Sequence, residues 1–86
     1  MIAITMPKLS HYVTEGMVAH WYKKEGDHVW EGEPILQIET IKAATDVEAP
    51  GTGTLVHILV QEGEFVKCET LLAEIEELKR SKLNNE

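Results

Sequence analysis

The sequence predicts an all-β domain, a flattened eight-stranded antiparallel barrel or sandwich of two four-stranded sheets related by a pseudo-two-fold. Three observations predict it. Apolar and β-branched residues come in short runs bounded by Gly, Pro and Asp, the spacing of strands and tight turns. No 3.6-residue apolar period occurs before residue 76. Above all, the chain repeats itself. Residues 14–39 aligned with 51–76, an offset of 37, place Gly16 on Gly53, His20 on His57, Glu25-Gly26 on Glu62-Gly63, Val29 on Val66 and Ile38-Glu39 on Ile75-Glu76. Two tandem copies are too few for a solenoid, but two half-domains can close on each other.

The elements follow in order. Residues 2–6 are a first strand, ended by Pro7-Lys8-Leu9-Ser10, and a loop through His11 and Glu15 leads to Gly16. Residues 17–22 are a second strand, 23–27 a turn and 28–30 a very short third strand. Glu31-Gly32-Glu33-Pro34 turns the chain again; Pro34 suits a strand start, where a missing N–H does little harm. Residues 35–39 and 44–48 form a hairpin with its tip at Thr40-Ile41-Lys42-Ala43, and Pro50-Gly51 stops it. The second copy then begins. The core draws on Ile4, Val18, Val29, Ile35, Ile38, Val47, Leu55, Ile58, Val66, Leu72 and Ile75, with Trp21 and Trp30 as core or half-buried sheet residues. Gly26, Gly53 and Gly63 are the glycines the turns need. From Glu77 to Glu86 the chain is charged and polar with no core pattern. The expected organisation is therefore a domain over 1–76 and a tail or linker start over 77–86.

Composition removes several functions. The net charge of −7, from 15 acidic and 8 basic residues, repels phosphate backbones and argues against nucleic-acid binding. No run approaches the ~18–20 apolar residues of a membrane span, and the start lacks a signal-peptide layout, so a soluble, intracellular domain is expected. Cys68 is the only cysteine and reads as a small, mostly buried residue. His11, His20, His28 and His57 show no metal-ligand spacing. No phosphate-binding glycine loop and no GxSxG element is present.

Lys42 is where the two halves differ. Glu39 and Glu76 are equivalent in the repeat, but Glu39 leads into the lysine hairpin and Glu76 into the polar tail. A lysine on such a tip is either a plain solvated charge or an amine held out for chemistry, and the hairpin is expected at the end opposite the termini.

The segments Met6-Pro7-Lys8-Leu9-Ser10, Thr14-Glu15-Gly16, Trp21, Lys24-Glu25-Gly26-Asp27, Val29, Gly32-Glu33-Pro34, Ile38-Glu39-Thr40, Lys42-Ala43 and Ala49-Pro50 occur in order. Together they make residues 2–76 resemble the lipoyl domain of the dihydrolipoyl acyltransferases of 2-oxo acid dehydrogenase complexes. The resemblance implies the eight-stranded fold and lipoic acid in amide linkage on Lys42, with Glu39, Thr40, Ile41 and Ala43 as recognition residues around it. It implies a monomeric domain that is a substrate of several enzymes and a catalyst of none. A lipoate ligase or lipoyl transferase attaches the arm. A thiamine-dependent dehydrogenase loads it with an acyl group, an acyltransferase domain unloads it, and dihydrolipoyl dehydrogenase, a flavoprotein, reoxidises it. The implied compartment is the cytoplasm, or the mitochondrial matrix in a eukaryote.

One residue departs from the family pattern. Aspartate commonly precedes the lysine, and here Ile41 does, which gives up aspartate's local turn hydrogen bonding. The glycine-cleavage H protein, also lipoylated, usually carries an aliphatic residue there, but it is longer, and Met6 to Asp27 looks like the acyltransferase type. Biotin carrier domains share the fold and flank their lysine with methionines, which Ile41 and Ala43 do not match. A third reading is an unmodified binding module with Ile41 as an apolar anchor. Tyr12 and Val13, in the loop from His11 to Glu15, are either contact residues beside the hairpin or loop packing.

Overall fold

A computed structural model describes residues 1–8 and 13–77. Among the described residues eight strands are present: β1 (Ile2–Thr5), β2 (Glu15–Trp21), β3 (His28–Val29), β4 (Pro34–Glu39), β5 (Ala44–Glu48), β6 (Gly53–Ile58), β7 (Phe65–Lys67) and β8 (Leu71–Glu77). They form two four-stranded sheets, ordered β1-β8-β6-β3 and β5-β4-β2-β7, with every pairing antiparallel. The expected architecture is the observed one. β8 includes Glu77; the rest of the expected tail, 78–86, lies outside the described residues.

The repeat is a structural two-fold. The offset of 37 carries β2, β3 and β4 onto β6, β7 and β8, and β5 then takes the place of β1. Irregularities obey it too. The pairing shifts register between Val18 and His20 in β2, and at the matching place between Leu55 and His57 in β6.

The alternating strands put their inner residues into one core between the sheets. Ile4, Val18, Val29, Ile35, Ile38, Leu55, Leu72 and Ile75 are essentially inaccessible, and Val47 and Val66 are buried beside them. Ile58 is only half-buried at the edge of this cluster. Met6, Leu36, Ala49, Val60 and Ala73 complete it. Trp30 departs from expectation: it is 60% exposed, just beyond the two-residue strand β3, and stacks edge-on to His28 with ring centroids 4.3 Å apart. Trp21 is half-buried, and its indole N–H donates to the Val60 carbonyl at 3.0 Å.

Cross-linking between the halves is reciprocal. The Gly26 N–H donates to the Leu55 carbonyl, and the Gly63 N–H to the Val18 carbonyl, each at 2.7 Å. The Glu25 carboxylate accepts from the Ile58 N–H, and the Glu62 carboxylate from the Trp21 N–H, each at 2.8 Å. Gly26 and Gly63 have φ of 97° and 96°, which a residue with a Cβ adopts only at a cost. Gly53 is required for another reason: a Cβ there would strike the backbone carbonyl of Glu76 in the neighbouring strand. Glu69 is the unexpected position. Its φ of 73° is that of a glycine, and its repeat partner is Gly32.

These contacts separate two kinds of glycine substitution. Gly26→Ala meets open space and only the strain of its positive φ, a loss of about 1–2 kcal/mol. Gly53→Ala must move a paired strand and should lose about 3 kcal/mol or more. Urea unfolding of the two variants gives the order directly; a milder effect at Gly53 would refute the close approach.

Candidate functional site

The hairpin of β4 and β5 projects Lys42 from the end remote from Met1 and Glu77, the outermost described residues. Its base is held at Glu33 and Ala49, where the Ala49 N–H donates to the Glu33 carbonyl at 2.8 Å and the Gly32 N–H to the Ala49 carbonyl at 2.9 Å. Gly53, a few residues past that base, pairs with Glu77, and Ile2 pairs with Ile75. The described ends of the chain therefore lie at the base, and the tip points away.

Ion pairing reinforces the base. The Lys23 amine sits 2.8 Å from the Glu33 carboxylate. Its hydrogen bond, with that of the Trp30 N–H, holds the Glu33 carboxyl below its ordinary range, and the same contact raises Lys23. The Glu33 contribution is thus present above the ordinary glutamate range and fades as pH falls through the lowered value. Higher on β5, Asp46 accepts the Tyr22 hydroxyl at 2.8 Å, and that bond raises the phenol.

The tip is closed by Thr40. Its N–H donates to the Ala43 carbonyl at 2.9 Å, and its hydroxyl donates to the same carbonyl at 3.0 Å. The hydroxyl oxygen in turn accepts the N–H groups of Lys42 and Ala43, each at 3.3 Å. A side-chain oxygen placed to take backbone N–H groups is what an aspartate offers a turn. Thr40 supplies it here, so Ile41 is released from any turn duty and stands 97% exposed. Lys42 and Ala43 are exposed beside it. Among the described residues no carboxylate lies within ion-pair distance of the Lys42 amine.

The other residues singled out in the sequence are gathered around this tip in part. Glu39 is the last residue of β4, exposed, and paired with Ala44 and Met17. Val13, Thr14 and Glu15 line a small hollow with Thr40 and Ile41, so that loop does border the hairpin, and Val13 itself is buried. His11 and Tyr12 lie outside the described residues. Cys68 is half-buried, its thiol 3.5 Å from the Val13 carbonyl.

Two neighbours of the site were not singled out. Met17 and Phe65 pair across β2 and β7, and with Glu39, Thr40 and Ile41 they line a groove of about 260 Å³ next to the tip. Phe65 is 70% exposed. The repeat carried the signal: Phe65 aligns with His28 and Met17 with Thr54, so this row is apolar in one half and polar in the other.

A two-fold β sandwich with a lysine on a closed, exposed hairpin is a scaffold for holding out an amine. The sequence pattern of the biotin/lipoyl family, described as "Biotin-requiring enzyme", matches residues 2–75. The dihydrolipoyllysine-residue acetyltransferase component of the pyruvate dehydrogenase complex from Rickettsia bellii is 47% identical over 73 residues, 84% of this chain and 18% of its own length. That of the Bacillus subtilis acetoin cleaving system is 42% identical over 74 residues, 86% of this chain and 19% of its length. The chain thus spans less than a fifth of these relatives. The solution structure of the lipoyl domain of the 2-oxoglutarate dehydrogenase complex from Azotobacter vinelandii matches with a TM-score of 0.74 at 35% identity, covering 90% of this chain and 98% of that one. The chain belongs to the biotin/lipoyl family, as a lipoyl-type carrier domain of the kind found in acyltransferase components of 2-oxo acid dehydrogenase complexes.

The Thr40 network predicts a clear pair of variants. Thr40→Val keeps the shape but removes the hydroxyl and should cost about 1 kcal/mol, with faster amide exchange at Lys42 and Ala43. Thr40→Ser should retain most of the protection. Equal exchange in all three proteins would show that the hydroxyl does not close the turn.

Proposed function

We propose that Lys42 carries lipoic acid in amide linkage and that the domain works as a swinging-arm acyl carrier. The observation that carries this is the tip itself: a backbone fixed by Thr40, with an exposed lysine that is not engaged by any described carboxylate. Such a site fits an amide-linked group, because acylation needs a reachable amine and, among the described residues, no ion pair to Lys42 has to be displaced. When bound, lipoic acid supplies a dithiolane able to take up an acyl group and to be reoxidised by disulfide exchange. What the chain contributes is position. The closed turn sets the root of the arm, and the lysine stem gives reach.

The names of the relatives support lipoic acid rather than biotin, since they are lipoyllysine-residue acyltransferases of complexes acting on pyruvate, 2-oxoglutarate or acetoin. By that likeness the partners are a lipoate ligase or lipoyl transferase, a thiamine-dependent dehydrogenase, an acyltransferase domain and dihydrolipoyl dehydrogenase. A chain continuing beyond either described end would leave from the base of the hairpin, away from Lys42. Tethering of that kind raises the arm's effective concentration at successive active sites.

Mass spectrometry of the protein made in cells supplied with both lipoate and biotin tests the assignment. One lipoyl adduct is expected, on the peptide containing Lys42, and none in Lys42→Arg, whose stability should stay within about 0.5 kcal/mol of the parent. A biotinyl adduct, or no adduct even after incubation with a lipoate ligase and ATP, would overturn it.

A further inference from the structure

The fold does not account for Trp30. Its ring is 60% exposed on the outer face of the β1-β8-β6-β3 sheet, with the His28 ring edge-on to it. The two-fold shows what the position requires. Trp30 matches Lys67, which is exposed and pairs with Glu15 across β7 and β2. A solvated charge satisfies the same place in the other half, so the fold needs no tryptophan there. The pairing register shows what lies beside it. Val29, Gly53 and Glu77 stand side by side across β3, β6 and β8. The next row begins with Trp30 and Thr52, and the Glu31 N–H donates to the Thr52 hydroxyl oxygen at 2.9 Å. Its third place falls to the residue after Glu77. In the sequence that residue is Leu78. Ile75 is buried and Glu76 exposed, so alternation gives residue 78 the face that carries Trp30.

Charge and reach name the occupant. The segment Leu78-Lys79-Arg80-Ser81-Lys82-Leu83 holds three of the chain's eight basic residues. The surface it departs from is acidic: Glu76 and Glu77 end β8, Glu31 follows Trp30, and all three are exposed. None of them is in an ion pair among the described residues. Neighbouring strands lie about 4.8 Å apart, so with β6 between them the end of β8 is about 10 Å from Trp30. Roughly three extended residues cover that distance, and the segment has six. An indole face also attracts a guanidinium, and Arg80 comes two residues after Leu78, on the same side of an extended chain. We propose that residues 78–83 cross the outer face of β6 and dock on Trp30, with Leu78 against the ring, the Arg80 guanidinium over its face and Lys82 toward Glu31. The domain then ends beyond Leu83 rather than at Glu77. Whatever follows pivots from the β3 edge, and the direction in which the lysine hairpin is held out is set by this contact. The inference is independent of what Lys42 carries.

NMR of the full 86-residue chain tests the contact. Nuclear Overhauser effects are expected between the Trp30 ring protons and both the Leu78 methyls and the Arg80 side chain. The amides of 78–82 should have order parameters near the 0.85 of rigid backbone. Trp30→Ser should drop them below about 0.6. The Trp21 indole resonance, held by the Val60 carbonyl, should stay in place and report an intact fold. Leu78→Ser combined with Arg80→Ser leaves every described residue unchanged and should release the segment equally, which decides the matter if Trp30→Ser disturbs β3. The proposal is overturned if the Overhauser effects are absent, if the parent's order parameters at 78–82 already lie below about 0.6, or if the double variant leaves them unchanged. Trp30 resonances that move with protein concentration would make a second copy the occupant and overturn it as well.

Discussion

The structure depends on an exchange of turns between its two halves. Each Glu-Gly turn is held by the strand of the other half: Gly26 on Leu55 and Gly63 on Val18 through backbone bonds, Glu25 on Ile58 and Glu62 on Trp21 through carboxylates. The arrangement explains why glutamate and glycine are among the residues identical between the copies. Glycine gives the positive φ that turns the chain back, and glutamate reaches over to satisfy a strand N–H next to the register shift. A half-domain alone would lack the partner for each of these groups. The sheets are therefore locked face to face before any side chain at the tip is considered.

Against that symmetric frame, function resides in what breaks the symmetry. β4 and β8 are equivalent strands, but β4 continues into a closed hairpin. The base of that hairpin is tied by Glu33, Ala49 and Lys23, and its tip by Thr40. Rigidity up to the lysine and freedom beyond it are complementary requirements. The root of a carried group must be presented in one place, while the group itself must reach more than one enzyme. The apolar row beside the tip breaks the symmetry a second time, in side chains rather than in backbone.

Much of this was legible in the sequence because the repeat is a statement about backbone geometry. Glu25-Gly26 and Glu62-Gly63 recur because two equivalent turns need them, and the strands around them follow from alternation. The hairpin bounds were legible for another reason, since residues 40–50 lie outside the repeat: apolar strands on either side and Pro50-Gly51 at the end frame the tip that holds Lys42. What escaped were matters of detail that depend on three-dimensional context. Val29 takes the inward place on the two-residue β3, so alternation puts Trp30, an aromatic residue that reads as core, on the outside. Glu69 holds a glycine-like φ because its turn is fixed by Met6 and Lys67, through the Glu69 N–H to the Met6 carbonyl and the Thr70 N–H to the Lys67 carbonyl. Thr40 reads as a tip residue, but the bonds of its hydroxyl across the turn show only in the folded chain. The loss of aspartate before the lysine looked like a weakened turn and is offset one residue earlier.

The most direct measurement of this account is the backbone and side-chain dynamics of the unmodified domain by NMR relaxation. Order parameters near 0.85 are predicted for the amides of Lys42 and Ala43, as rigid as the flanking strands. The Lys42 side-chain methylenes should show motion increasing toward Nζ. Amide values below about 0.6 at the tip, or a Lys42 side chain as ordered as the core, would contradict the claim that a rigid two-fold scaffold holds out a free lysine.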